Sequence, residues 1–123
     1  MNATIDSEPR HFGARRLALS LGGLLVSEHE HAPLEQLPLH MHEAPYLCLV
    51  TGGDYTESTA SRVTHARAGA LLGHAAGERH ANAFGAAGGR CLNITPTGDW
   101  RGDGCWEDWF ERPAAISAAV PAA

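Results

Sequence analysis

The chain contains no lysine. Its nine basic residues are all arginine, set against fourteen acidic ones, for a net charge of −5. That sign excludes a free-standing nucleic-acid binder, which needs a basic surface to displace counterions from phosphates. Cysteine is scarce, with three residues at positions 48, 91 and 105 and no Cys-x-x-Cys. A zinc ribbon or a disulfide framework is therefore not indicated. Cys48 and Cys91 lie in apolar stretches and read as small core residues, while Cys105 sits in a more polar context and reads as exposed. No apolar run approaches the eighteen or so residues that span a bilayer. Leu17 to Val26 is apolar, but it is short and no small-residue cleavage site follows it. The expectation is a cytoplasmic protein with no membrane contact. A Gly-rich phosphate loop and a serine nucleophile elbow are also missing.

At 123 residues, 44% apolar and 19% charged, the chain is long enough for one domain with a real core. Its 14 glycines fall mostly between short apolar runs, which indicates an all-β fold. Residues 15–31 read as two strands around Gly22-Gly23. His40 to Val50 alternates, with His40, His42, Tyr46, Cys48 and Val50 on one face and Leu47 and Leu49 on the other. Apolar residues on both faces imply a covering helix or a partner copy. Thr51-Gly52-Gly53-Asp54 reads as a hairpin turn. Strands follow at 63–67, at 70–73 and around His80, Asn82 and Phe84, with turns at Ala68-Gly69 and Ala75-Ala76-Gly77. Residues 90–95 read as the final strand. Short strands at this spacing indicate an antiparallel sandwich or barrel.

After Pro96 the pattern changes. Trp106, Trp109 and Phe110 fall at helical spacing, Asp103 can cap a helix and Pro113 ends it. A short C-terminal helix is expected near 103–112. It either packs on the domain's own sheet or joins two copies in a homodimer. The expected organisation is a flexible N-terminus over 1–12, one domain over 13–112 and an Ala/Pro tail over 113–123.

The chemistry is expected at the histidines. His40 and His42 aim at one spot if they share a strand face, and a later strand can bring His80 to it. Three imidazoles with open positions suit Zn²⁺, Fe²⁺, Ni²⁺ or Cu²⁺, or they anchor a polar ligand. Tyr46 can donate a hydrogen bond to that ligand or bind a metal as phenolate, and Asn82 shares the face of His80. His74 precedes the turn and reads as facing outward. Glu43 and Glu78 read as rim residues. His29 and His31 repeat the His-x-His spacing, but between Glu28 and Glu30 they read as a solvated segment.

These residues resemble the two motifs of the cupin superfamily. His40-Met41-His42 with Glu43 to Gly52 matches the first, and Gly69, Gly77 and His80 match the second. Tyr46 stands where the metal-binding Glu is expected, and Ala75 replaces the turn Pro. Within cupins the pattern is most similar to the N-terminal ligand-sensing domain of AraC-type transcription regulators. It runs over roughly residues 10 to 100 through Gly52-Gly53-Asp54-Tyr55, Glu57, Phe84-Gly85 and Gly88-Gly89-Arg90. The resemblance implies a jelly-roll sensor for a small-molecule effector, without the DNA-binding half. The alternative it leaves is a small metal-dependent cupin enzyme, of oxygenase, isomerase or hydratase type, acting on a small organic substrate.

Overall fold

The computed structural model describes residues 12–97. It contains seven antiparallel strands: β1 (Ala14–Leu21), β2 (Leu24–His31), β3 (Gln36–His40), β4 (Tyr46–Ser58), β5 (Val63–Arg67), β6 (Leu71–His74) and β7 (His80–Pro96). All seven strands join one hydrogen-bonded sheet, and the long β4 and β7 run through both of its halves. Their halves around Leu47–Val50 and Cys91–Ile94 pair with each other, with β6 and β2 outside them and β1 beyond β2. Their other halves, around Tyr55–Ser58 and Ala81–Phe84, also pair, flanked by β5 and β3. The result is an antiparallel two-faced jelly roll, as an all-β chain with glycine-punctuated strands predicts.

Two expected boundaries move, for one physical reason. Thr51–Asp54 is not a hairpin turn. β4 runs straight through it, with register shifts between Val50 and Gly52 and between Gly53 and Tyr55. Residues 80–84 and 90–95 likewise belong to the single strand β7. The glycines there serve bends where the two strands press together. Gly53 has φ +69°, and a Cβ on it would collide with the Gly88 carbonyl oxygen. Glycine at a strand bend permits a bulge as readily as glycine at a turn permits a hairpin. At Gly22-Gly23 the expected turn does form, between β1 and β2.

Strand alternation places the core. Tyr46, Cys48 and Val50 of β4 point inward and are buried, as are Ser27, His29 and His31 of β2 and Cys91, Asn93 and Thr95 of β7. The outward positions include an aliphatic row. Leu19, Val26, Ile94 and Leu47 are cross-strand neighbours in one row across β1, β2, β7 and β4. Leu17, Leu19 and Leu21 on this face are about half exposed. Leu47 and Leu49 therefore lie opposite the inward ring residues, as expected. The expected helix at 103–112 and Cys105 lie outside the described residues. Among those residues no helix is long and apolar enough to cross a membrane.

Candidate metal centre and its pocket

His40 and His80 meet because one ends β3 and the other begins β7, and their backbones are paired partners. His42 reaches them differently. The expected strand from His40 to Val50 does not form, because β3 stops at His40 and β4 starts at Tyr46. The loop between them is fastened by the Gly77 amide, which donates to the His42 carbonyl at 2.9 Å. Gly77, with φ +76°, lies in the turn just before His80, so the second motif's turn also holds the first motif's histidine. The His80 ring centre lies 4.3 Å from that of His40 and 5.5 Å from that of His42. One nitrogen from each of the three lies within 4.8 Å of the others.

The hydrogen bonds select which nitrogen faces the centre. His40 Nδ1 is 2.6 Å from the Pro38 carbonyl, and His80 Nδ1 is 3.3 Å from the Glu78 carbonyl. A carbonyl only accepts, so Nδ1 carries the proton in both rings. In the neutral ring Nε2 is then left as a lone-pair donor. Burial, followed by the neighbouring His74, lowers His80 to about 4, and burial also lowers His40. Both rings are neutral at pH 7, as metal ligation requires.

A second set shares His80. Glu57, His74 and His80 also offer ligand atoms within 4.8 Å of one another, and all three are buried. His74 Nε2 lies 2.6 Å from Glu57 Oε1, inside the protein. The expectation that His74 faces outward is wrong. β6 pairs with β4 so that His74 stands opposite Tyr46, which turns it into the core at 1% exposure. Burial acts to raise the Glu57 carboxyl, but the His74 hydrogen bond and charge, together with His80 and Arg62, hold the group below its usual range. The sequence motifs do not mark Glu57 as a ligand. The signal for it is parity with Tyr55, two residues before it and also buried. The site thus has a carboxylate, supplied by β4 from a position outside the His-x-His motif.

Tyr46 fills the place of that motif's glutamate. Its ring stacks on His74 at 4.4 Å, and its hydroxyl lies 3.3 Å from His80 Nε2. Burial, then Cys48 and Glu57, raises its pKa well above 10, so it remains a phenol and a hydrogen-bond donor. Glu43 is exposed at the rim, as expected. Glu78 is half-buried, with its carboxyl raised by burial. Asn82 borders the pocket with its Oδ1 buried and unpartnered.

Behind the imidazoles lies a small pocket that opens to solvent at its mouth. His40, His42 and Tyr46 line it together with Tyr55, Phe84, Cys48, Cys91 and Asn93, and the Tyr55 hydroxyl lies 3.7 Å from Cys48 Sγ. Neither His29 nor His31 is solvated. His29 is 2% exposed and lies 2.9 Å from the Ser27 hydroxyl. His31 is 7% exposed, lies 2.6 Å from Glu35 and stacks on Phe84 at 4.1 Å. The expectation fails because both histidines take the inward face of β2, while Glu28 and Glu30 take the outer one.

No protein-family model and no curated protein matches the sequence. Solved structures do match. A cupin-2 domain protein from Shewanella frigidimarina superposes with a TM-score of 0.60 at 12% identity, covering 71% of this chain and 83% of its own. The chain has the cupin fold. The polyketide cyclase RemF from Streptomyces resistomycificus matches with a TM-score of 0.54 at 23% identity, over 60% of this chain and 54% of its own. Oxalate decarboxylase from Bacillus subtilis, a protein with Mn(II) centres, matches with a TM-score of 0.56 at 16% identity, over 63% and 22%. At such identities these neighbours carry the cupin fold and leave this chain's own chemistry to its residues.

Proposed function

We propose that this cupin binds a small organic molecule in its pocket, against a divalent transition-metal ion held by His40, His42 and His80. Glu57 and His74 complete or support the site. The observation that carries this reading is the convergence of three imidazole nitrogens within 4.8 Å. The Nδ1 protons of His40 and His80 are already committed to backbone carbonyls. The buried Nδ1 of His74, which has no hydrogen-bond partner, fits a site that awaits another group. When bound, such an ion supplies Lewis acidity toward a ligand oxygen or a bound water. The protein's own part is to hold neutral imidazoles, to keep Glu57 ionised beside them and to present the Tyr46 hydroxyl. The test is elemental analysis of untagged protein equilibrated with Zn²⁺, Fe²⁺, Ni²⁺ and Mn²⁺ in turn. One ion per chain is expected, and no retention of any of them would refute the metal site.

A second reading is an effector-sensing domain of the kind found in AraC-type regulators, working without metal. The Tyr46 hydroxyl favours it, since it occupies the His80 Nε2 that a metal would need. In either reading we propose a homodimer through the outer aliphatic row of Leu19, Val26, Ile94 and Leu47. Exposed aliphatic faces of this extent are uncommon on monomers. Light scattering that gives a mass near 13 kDa at every concentration would defeat the dimer.

A further inference from the structure

We infer that Asn93 is the recognition group at the inner end of the pocket, and that it selects an uncharged ligand bearing a hydroxyl or amide N–H remote from the imidazoles. The inference rests on the small-molecule reading above and narrows the class of molecule.

Asn93 sits on β7 opposite Cys48, two residues along β4 from Tyr46. At about 3.4 Å per residue, its row lies roughly 7 Å beyond the row of Tyr46. It is 5% exposed, it borders the pocket, and its Oδ1 is buried without a hydrogen-bond partner. An unmade hydrogen bond on a buried carbonyl costs about 1–3 kcal/mol, and folded proteins hold few of them. Its cross-strand partners are Cys48 and Ser27, and the Ser27 hydroxyl is already 2.9 Å from His29 Nε2. A ligand donor would satisfy the Asn93 Oδ1.

The rest of the lining fixes the ligand's body. Among the described residues, no Arg, Lys, Asp or Glu lines the pocket. A second charged group on the ligand would be buried there without a counter-ion, which is costly. Tyr55 and Phe84, with ring centres 5.1 Å apart and planes tilted by 40°, offer aromatic edges and faces to a ligand. A small ring with a metal-binding group at one end and a hydroxyl at the other suits the roughly 7 Å between rows.

The test uses the full chain loaded with Zn²⁺ and three probes in calorimetry: benzohydroxamate, its 4-hydroxy form and its 4-carboxy form. The 4-hydroxy probe is expected to bind roughly three- to tenfold more tightly than the parent, the range of one net hydrogen bond. The 4-carboxy probe is expected to bind more weakly than both. Asn93→Leu should erase the hydroxyl advantage, so that the 4-hydroxy probe and its parent bind equally. It should also leave the free protein as stable or more so, which a purely structural asparagine would not. Asn93→Val replaces it if the leucine variant does not fold. No hydroxyl advantage, an advantage that survives the substitution, or a preference for the carboxylate would overturn the inference. If zinc binds one per chain but no probe does, the inference fails and the metal reading stands. If zinc does not bind, the metal reading fails. Phenol against benzoate on the metal-free protein then decides the inference: phenol must bind more tightly, and must lose that advantage in Asn93→Leu.

Discussion

His29 and His31 have the same spacing as His40 and His42, and they are the more buried pair, yet only the second pair sits at a shared centre. In β2 the spacing does what strand geometry says, placing both rings on one inward face. Each ring then finds its own neighbour, Ser27 for His29 and Glu35 with Phe84 for His31. The other pair breaks the strand rule. His40 closes β3, His42 lies in a loop held by Gly77, and His80 arrives from another strand. In this pair the Nδ1 of His40, like that of His80, is tied to a carbonyl, and the nitrogens meet. A His-x-His spacing is therefore no metal signal by itself. What separates the two pairs is whether a third ligand comes to the same point.

That contrast can be broken most severely at the third ligand. His80→Ala should abolish metal retention, a loss beyond the roughly 10–100-fold that removing a supporting partner costs. His29→Ala should leave one ion per chain in the same elemental analysis. Equal losses would erase the distinction between the pairs. Glu57→Gln comes next. It withdraws the carboxylate from His74 and should weaken metal affinity roughly 10–100-fold in competition titrations with a chelator. An unchanged affinity would mean that Glu57 supports the fold and not the centre.

The β2 pair should instead show itself in stability against pH. Burial, then His31 and Arg15, lowers His29 to about 4 from its ordinary 6.5. The unfolded chain takes up the proton below 6.5, while the folded chain resists until about 4. The stabilising contribution is therefore complete above pH 6.5, falls as pH drops through that window and levels off below 4. It amounts to about 3 kcal/mol at most, since a tenfold change in proton affinity is worth about 1.4 kcal/mol. His80 contributes with the same sign. Urea denaturation of His29→Leu across this window should show a flatter profile than the parent, and an identical slope would refute the assignment. The smallest effect is expected at Tyr46. Tyr46→Phe removes the hydroxyl from His80 Nε2 and should raise metal affinity a few-fold, about the worth of one hydrogen bond. A fall would mean that the hydroxyl supports the bound ion.

The fold class is legible in the sequence through its glycine-punctuated alternation, and the trio His40, His42 and His80 through its motifs. How the trio is assembled is concealed. Parity along one strand suggests a common face, whereas the structure uses a strand end, a pinned loop and a neighbouring strand. Gly52-Gly53 reads as a turn because a bulge and a hairpin ask the same of glycine. His74 and Glu57 stay hidden because their pairing spans 17 residues and depends on β6 returning alongside β4, which no local pattern encodes. Glu28 and Glu30 suggest solvent at β2, but in a strand they inform only about the opposite face.

The most direct test is X-ray absorption at the zinc edge on the full chain carrying one Zn²⁺, for the parent and for His80→Ala. The parent should show imidazole scattering from three histidines with Zn–N near 2.0–2.1 Å, and the variant should lose it. Sulfur at about 2.3 Å, or imidazole scattering that survives His80→Ala, would place the ion elsewhere and contradict the centre at His40, His42 and His80.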